Sequence, residues 1–396
     1  MNKKSALHGG TPIRDTFLVF GAPRIEQPEI DEVVATLQSG WLGTGPRTQA
    51  FEKQFCAYTG AQYAIGLNSC TAGLHLSLLA LGIGPGDEVI TTPMSFCATA
   101  NVIIHVGATP VFIDVEPETG NMDMNRLEAA ITKKTKALLP VHLYGRPVNI
   151  SAMLAIAEKY NLPIIEDAAH AIETKYNDKK IGSIGTTACF SFYATKNICT
   201  GEGGMLTTNS KKIADMVRTY HLHGISKDAW NRYSESGYKH YTTILPGYKY
   251  NMMDIQAALG IRQMERIDDY HAIRTHIWNM YNEAFHDLPI TTPAIIPDTI
   301  IHARHLYTIL IRKNECGINR DEMMEALRAE NIGTGVHFIA LHEHKYYKER
   351  FGYKPSDFPN AHEISEHTLS LPLSAKLTDD DVHDVINGVK KVLGLL

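Results

Sequence analysis

The chain has 396 residues, 44% of them hydrophobic and 20% charged, with no tract dominated by one residue type. That is a globular composition, and the length predicts two domains rather than one core. A formal charge of −5 implies no basic surface and argues against nucleic acid or an anionic membrane as the main partner.

The opening residues, Met1 to Gly10, carry charge but no apolar core of a signal peptide. No run of about 18 apolar residues is present, so no membrane span is expected. Six cysteines form no C-x-x-C pair and no zinc-like ligand set. Free thiols in a reducing cytoplasm, and no metal, are the expectation. The 19 histidines are scattered, which predicts surface or core roles for most of them.

From about residue 60 the sequence alternates short apolar runs with amphipathic stretches. Ala64–Leu67 reads as a strand leading into a helix near Thr71. Glu88–Thr91 is the next strand, followed by a helix through Val102, Ile103 and Ile104. Pro110–Asp114 is a third strand, and a helix is predicted over Asn125–Ile131. Ala137–Val141 is a fourth strand. A helix over Ser151–Tyr160 carries Met153, Leu154, Ile156 and Ala157 at helical spacing and ends in the strand Pro163–Glu166. Near-continuous apolar strands in this rhythm predict an α/β fold, with a mainly parallel sheet covered by helices on both faces.

Strands at Phe190–Phe192 and Gly204–Thr207 follow one another without a helix between them. Residues 224–250, rich in Gly, Tyr, Ser and Lys, read as a long loop with a task of its own. One helix is predicted from Met253 to Ala284. A mixed tail follows, with a strand at Leu306–Ile311 and helices over Asp321–Glu330 and Asp379–Leu395. The expected division is a large domain over 1–250 and a smaller C-terminal α/β domain over 251–396, without internal repeats.

Open α/β sheets bind ligands at the carboxyl ends of their strands, and three segments occupy such ends. Asn68-Ser69-Cys70-Thr71-Ala72-Gly73 places small residues and hydroxyls between a strand and a helix start, which suits a phosphate or simply caps the helix. It lacks the lysine of a P-loop and the glycines of a dinucleotide site. Glu166-Asp167-Ala168-Ala169-His170 puts carboxylates at a buried strand end, where they need a cationic or donor partner. That partner could be a pyridinium N–H, an arginine or a helix start. Ser191-Phe192-Tyr193-Ala194-Thr195-Lys196-Asn197 sets a lysine between an apolar strand and Gly201-Glu202-Gly203-Gly204, making a desolvated nucleophilic amine plausible beside a surface role. Taken in order on one sheet, these are the parts that a pyridoxal 5'-phosphate (PLP) enzyme needs.

At these residues the sequence resembles the DegT/StrS-type sugar aminotransferases, a branch of the fold-type I (aspartate aminotransferase-like) PLP enzymes, over nearly its whole length. Ser39-Gly40-Trp41-Leu42-Gly43-Thr44-Gly45-Pro46 matches the family's opening signature, and the three segments above match in turn. The resemblance implies a seven-stranded, mainly parallel sheet. It makes Lys196 the Schiff-base lysine and proton shuttle, Asp167 the partner of the pyridine nitrogen, and His170 a neighbour of the ring oxygen. Cys70, Thr71 and Ser191 would bind the phosphate and Phe96 would stack on the ring. Thr44, His337 and His342 would line the sugar site.

The resemblance also implies a homodimer whose partner subunit completes each site through the segment Gly247–Asp254. Many members have Asn at the place of Lys249 and Arg at that of Asn251. This chain departs from the pattern, so either residue could make the phosphate contact across the dimer. Lys249 followed by Asn251, with Ile332–Phe338, is similar to the members that aminate C4 of UDP-linked 4-keto sugars. The implied reaction moves the amino group of L-glutamate to such a sugar in cell-surface glycan (lipopolysaccharide) or amino-sugar biosynthesis. The rival readings are a 3-keto-sugar aminotransferase, a PLP-dependent sugar dehydratase, disfavoured by the lysine and the absence of a cysteine cluster, and a PLP-binding regulatory protein without turnover.

Overall fold

The computed structural model describes residues 4–225 and 242–396. Its centre is a sheet of seven strands: β1 Tyr63–Leu67, β2 Glu88–Thr91, β3 Thr109–Phe112, β4 Thr135–Leu138, β5 Ile165–Asp167, β6 Thr187–Ser191 and β7 Gly204–Thr208. Two ladders, β3-β2-β4 and β5-β6-β7-β1, join through parallel bridges Leu138–Ile164 and Val141–Asp167. The spatial order is therefore β3-β2-β4-β5-β6-β7-β1. Only β7 runs antiparallel to its neighbours; the other pairings are parallel, as near-continuous apolar strands require.

This topology sets the site. The carboxyl ends of β1, β2, β5 and β6 and the amino end of the reversed strand β7 all fall on one edge. Five sequence-distant segments therefore meet there. The strands themselves are held by ring packing: Phe55 meets Phe190 at 5.0 Å and Phe51 meets Phe192 at 5.2 Å, all four rings being buried.

Helices α1 (Gln27–Ser39), α2 (Pro46–Thr59), α3 (Cys70–Ala80), α4 (Ala98–His105), α5 (Ile150–Tyr160) and α6 (Lys211–Tyr220) accompany the sheet. α3 carries buried residues on every side, from Ala72 to Ala80, so its length lies inside the protein and only its first turn reaches the sheet edge. Over Asn125–Ile131 the predicted helix is shorter, an α-helix at Met124–Leu127 continued by a 3-10 turn at Glu128–Ala130.

The single helix predicted from Met253 to Ala284 is two, α7 (Asp254–Met264) and α8 (Ile267–Phe285). The break comes at Arg266, whose backbone leaves the helical region while its guanidinium pairs with Glu26 and Glu29. Asp268 and Asp269 then open α8, where carboxylates favour a helix start. Of the expected loop 224–250, residues 226–241 lie outside the described residues; its flanks bridge at Ile225–Thr243 and Leu222–Lys249.

The C-terminal part packs α8, α9 (Arg320–Ala329), α10 (Pro359–His367) and α11 (Asp379–Val392) about the antiparallel pair β8 (Tyr307–Leu310) and β9 (Thr368–Leu371). Ala257 and Met264 of α7 belong to the core beneath the large sheet. Ile277, Tyr281 and Phe285 of α8 join Tyr307, Leu327, Leu371 and Val385 in a second core, so the change of core falls along α8. Among the described residues no helix is long and apolar enough to cross a membrane.

Candidate active site

The segments gathered at the sheet edge surround a cavity of about 510 Å³ lined by Cys70, Thr71, Phe96, Asp167, His170, Ser191, Lys196 and His337 among others. Eight of the twelve residues singled out from the sequence thus meet in one place.

The strand β1 delivers the start of α3. Ser69 is its N-cap, in extended backbone, and its hydroxyl accepts the Ala72 N–H at 3.1 Å. Capping and anion binding coexist here, because the other first-turn N–H groups have no partner within the helix. The thiol of Cys70 turns inward, its Sγ 3.3 Å from the Cys189 carbonyl and 4.0 Å from Asp167 Oδ1. Only its main-chain N–H remains for an anion. The glycine of β7 shapes the same cradle. A Cβ on Gly204 would lie 2.3 Å from the Ser69 carbonyl carbon and 2.5 Å from the Cys70 nitrogen, so only glycine lets β7 approach the helix start.

Asp167 ends β5, buried. Burial raises its pKa, opposed by the Thr99 hydroxyl bond at 2.8 Å, the Ala169 N–H at 3.2 Å, and the charges of Lys196 and His142. Thr99 is itself tied to Ser95 at 2.7 Å. Because burial outweighs these donors, a further positive N–H opposite this carboxylate would favour its ionised form.

Lys196 follows β6. Burial brings its amine down to about 8, against the opposing pull of Cys70 and Asp167. His170 accepts the Tyr144 N–H on Nδ1 at 3.2 Å, which leaves its proton on Nε2; burial first, then Lys196 and His337, hold it well below the usual histidine range. His337 bonds Ser370 at 2.8 Å and stacks on Phe20 at 5.5 Å, with burial lowering it to about 4. Phe96 is 60% exposed at the mouth, 6.3 Å from Phe338. A ring so placed is free to cover a ligand and is not a core aromatic.

Four predicted residues are not brought to this cavity. Thr44 accepts from Asn251 Nδ2 at 2.6 Å, the Lys249 carbonyl accepts from Asn68 Nδ2 at 3.3 Å, and Asn251 bridges to Leu67. These three form a patch beside β1, outside the chain's own cavity. His342, expected at the sugar site, does not line the cavity: its ring is fully buried, edge-on to Phe358 at 4.9 Å.

The structure also adds residues that sequence reading missed. His305, buried at the cavity wall, places Nε2 3.5 Å from Lys196 Nζ. Thr99 supports Asp167, and Tyr144, Phe20 and Phe338 wall the histidines. Thr99 carried a faint signal, a hydroxyl three residues after Phe96 and one helical turn after Ser95. His305 carried none, standing 109 residues from the lysine it meets.

With this geometry in view, the chain compares closely with known proteins. Residues 23–390 match the DegT/DnrJ/EryC1/StrS aminotransferase family. The chain belongs to that family.

Among this aminotransferase's relatives is the spore coat polysaccharide biosynthesis protein SpsC of Bacillus subtilis (strain 168), 51% identical over 381 residues, which span 96% of this chain and 98% of the relative. The putative sugar aminotransferase Spr1654 of Streptococcus pneumoniae, in its PMP form, superposes with a TM-score of 0.89 at 35% identity, covering 95% and 99% of the two chains; its PLP form gives 0.88. Helicobacter pylori PseC, an aminotransferase involved in the biosynthesis of pseudoaminic acid, gives 0.88 at 27% identity, covering 96% and 99%.

The family is PLP-dependent, and the residues of this sugar aminotransferase fit that cofactor. The glycine-shaped cradle at α3, with Thr71 and Ser191, suits the phosphate; Asp167 suits a pyridinium; the depressed amine of Lys196 suits an aldehyde; Phe96 offers a face to the ring.

Proposed function

We propose that this enzyme transfers the amino group of L-glutamate to C4 of a UDP-linked 4-keto sugar, as a homodimer and in glycan or amino-sugar biosynthesis in the cytoplasm. The observation that carries the transaminase reading is Lys196, an amine that desolvation brings down to about 8, in the same cavity as the buried carboxylate of Asp167. When bound, PLP supplies the electron sink for the electrons released at the amino acid's α-carbon. Asp167 keeps the cofactor nitrogen protonated. Lys196 spends an appreciable fraction of its time as a neutral amine near pH 7 to 8, the form that attacks an aldehyde and that takes and returns a carbon-bound proton. His170, neutral with its proton on Nε2, donates toward the cavity, and Phe96 and Phe338 exclude water from the ring face.

Sugar chemistry is supported by the family and by two relatives, SpsC in spore coat polysaccharide biosynthesis and PseC in the biosynthesis of pseudoaminic acid. The choice of C4 and of UDP rests on Lys249, Asn251 and the segment around His337. The placement of Thr44, Lys249 and Asn251 outside the chain's own cavity supports a site completed from a partner subunit. Six free thiols suit a reducing compartment.

The test is incubation of the PLP-loaded protein with L-glutamate and a panel of UDP- and dTDP-linked 3-keto and 4-keto sugars, with products read by mass and NMR. Amination of a UDP-4-keto sugar is expected. Turnover of a 3-keto sugar alone would move the reading to the 3-keto rival. No conversion of the cofactor by glutamate would leave a sensor or another donor.

A further inference from the structure

We propose that His305 is a positioning residue for the Lys196 amine, accepting an N–H from it and aiming its lone pair into the cavity; this rests on the transaminase reading of the same site. The assignment follows from a chain of donors and acceptors that leaves no choice of orientation. Asn197 Nδ2 lies 2.8 Å from Glu173 Oε2 and 2.9 Å from the Ala303 carbonyl. A carbonyl only accepts, and so does an ionised carboxylate, so the amide nitrogen is fixed toward them and Oδ1 is turned to His305. That oxygen lies 2.9 Å from His305 Nδ1. An amide oxygen also only accepts, so Nδ1 carries the proton. The neutral ring then presents a bare lone pair at Nε2, and what faces it at 3.5 Å is the Lys196 amine.

The support behind this chain is rigid. The other oxygen of Glu173 is held by Arg274, and both side chains are almost completely buried. His170 packs against the His305 ring with centroids 4.4 Å apart. The groups facing His305 are Lys196, His170, His337 and Arg274. Burial and these neighbours hold it well below the usual histidine range, so it stays an acceptor when the lysine is charged and when it is neutral. A separation of 3.5 Å is long for a hydrogen bond, as bonds at reacting amines are before ligand closes the site.

Its work concerns direction and adds no proton store. When neutral Lys196 removes a proton from carbon, the pair on Nζ forms the new N–H bond and the electrons of the broken C–H bond remain with the carbon acid. Nζ then carries an extra proton, which it later returns. Throughout, one N–H of Nζ rests on His305 Nε2, and His305 itself neither gains nor loses a proton. Without that rest the four-carbon stem of Lys196 can swing among rotamers.

The experiment needs neither glutamate nor sugar, so its failure is read separately from a failure of the transamination proposal. Cofactor-free protein is mixed with PLP over a range of pH, trapped with borohydride at timed intervals and peptide-mapped for label on residue 196. For the unsubstituted protein the attachment rate is expected to rise with a midpoint near 8. H305A is expected to attach roughly fivefold to tenfold more slowly, the loss of about one hydrogen bond, with the same final occupancy. H305Q, whose amide oxygen can accept, is expected to recover most of the rate. If alanine prevents folding, H305Q against H305M gives the same contrast of acceptor and none. An attachment rate and pH midpoint unchanged in H305A or H305M overturns the proposal. So does an H305Q as slow as either of them while it melts with the unsubstituted protein.

Discussion

Replacing Lys196 with Met should stabilise the cofactor-free protein, and by an amount that depends on pH. The folded chain lowers this amine from 10.5 to about 8, chiefly by burial, and a change of that size corresponds to about 3 kcal/mol. The sign follows from proton counts. Below about 8 both folded and unfolded chains carry the proton, so the folded state bears the full cost of a buried ammonium. Between about 8 and 10.5 only the unfolded chain holds it, and stability rises with pH across that window. Methionine keeps the length of the stem without the charge. The attraction to Asp167 opposes the lowering of the amine and is already contained in the net change, so the expected gain is about 3 kcal/mol near pH 7. Urea unfolding of the two cofactor-free proteins at about pH 7 and pH 10 measures it. An advantage for K196M that shrinks toward zero at the higher pH is expected. A K196M no more stable than the parent at pH 7, or an advantage that does not change with pH, would show that the amine's burial carries no such cost.

Two further substitutions probe the cradle and the carboxylate. G204A drives a methyl group into the main chain of Ser69 and Cys70, and overpacking of this kind costs about 1–3 kcal/mol; a lower melting temperature and PLP affinity reduced by about tenfold should appear in thermal denaturation and cofactor titration. T99V keeps the shape of Thr99 but removes its hydrogen bond to Asp167, costing about 1–3 kcal/mol in unfolding experiments near pH 7. Because the lost donor favoured the ionised carboxylate, that deficit should shrink as pH falls and Asp167 takes up a proton.

The local pattern of the chain determined a good deal. The apolar runs at 64–67, 88–91 and 163–166 made a parallel α/β sheet the economical solution, since strands hydrophobic on both faces must be covered on both. Strand-end chemistry at Cys70, Asp167 and Lys196 could be read in order, because a parallel sheet brings carboxyl ends to one edge whatever the loop lengths. Periodicity could not see the break at Arg266, which depends on Glu26 and Glu29 reaching it from α1 and its lead-in. Nor could it tell that the thiol of Cys70 turns inward, that His342 is a core ring, or that Thr44 and Asn251 sit beside their own cavity. These depend on which side chains far apart in sequence come within a few ångströms. His305 is the clearest instance. Nothing near it in the chain marks it, and its meaning is set by an amide, a carboxylate and an amine that only the folded packing brings together.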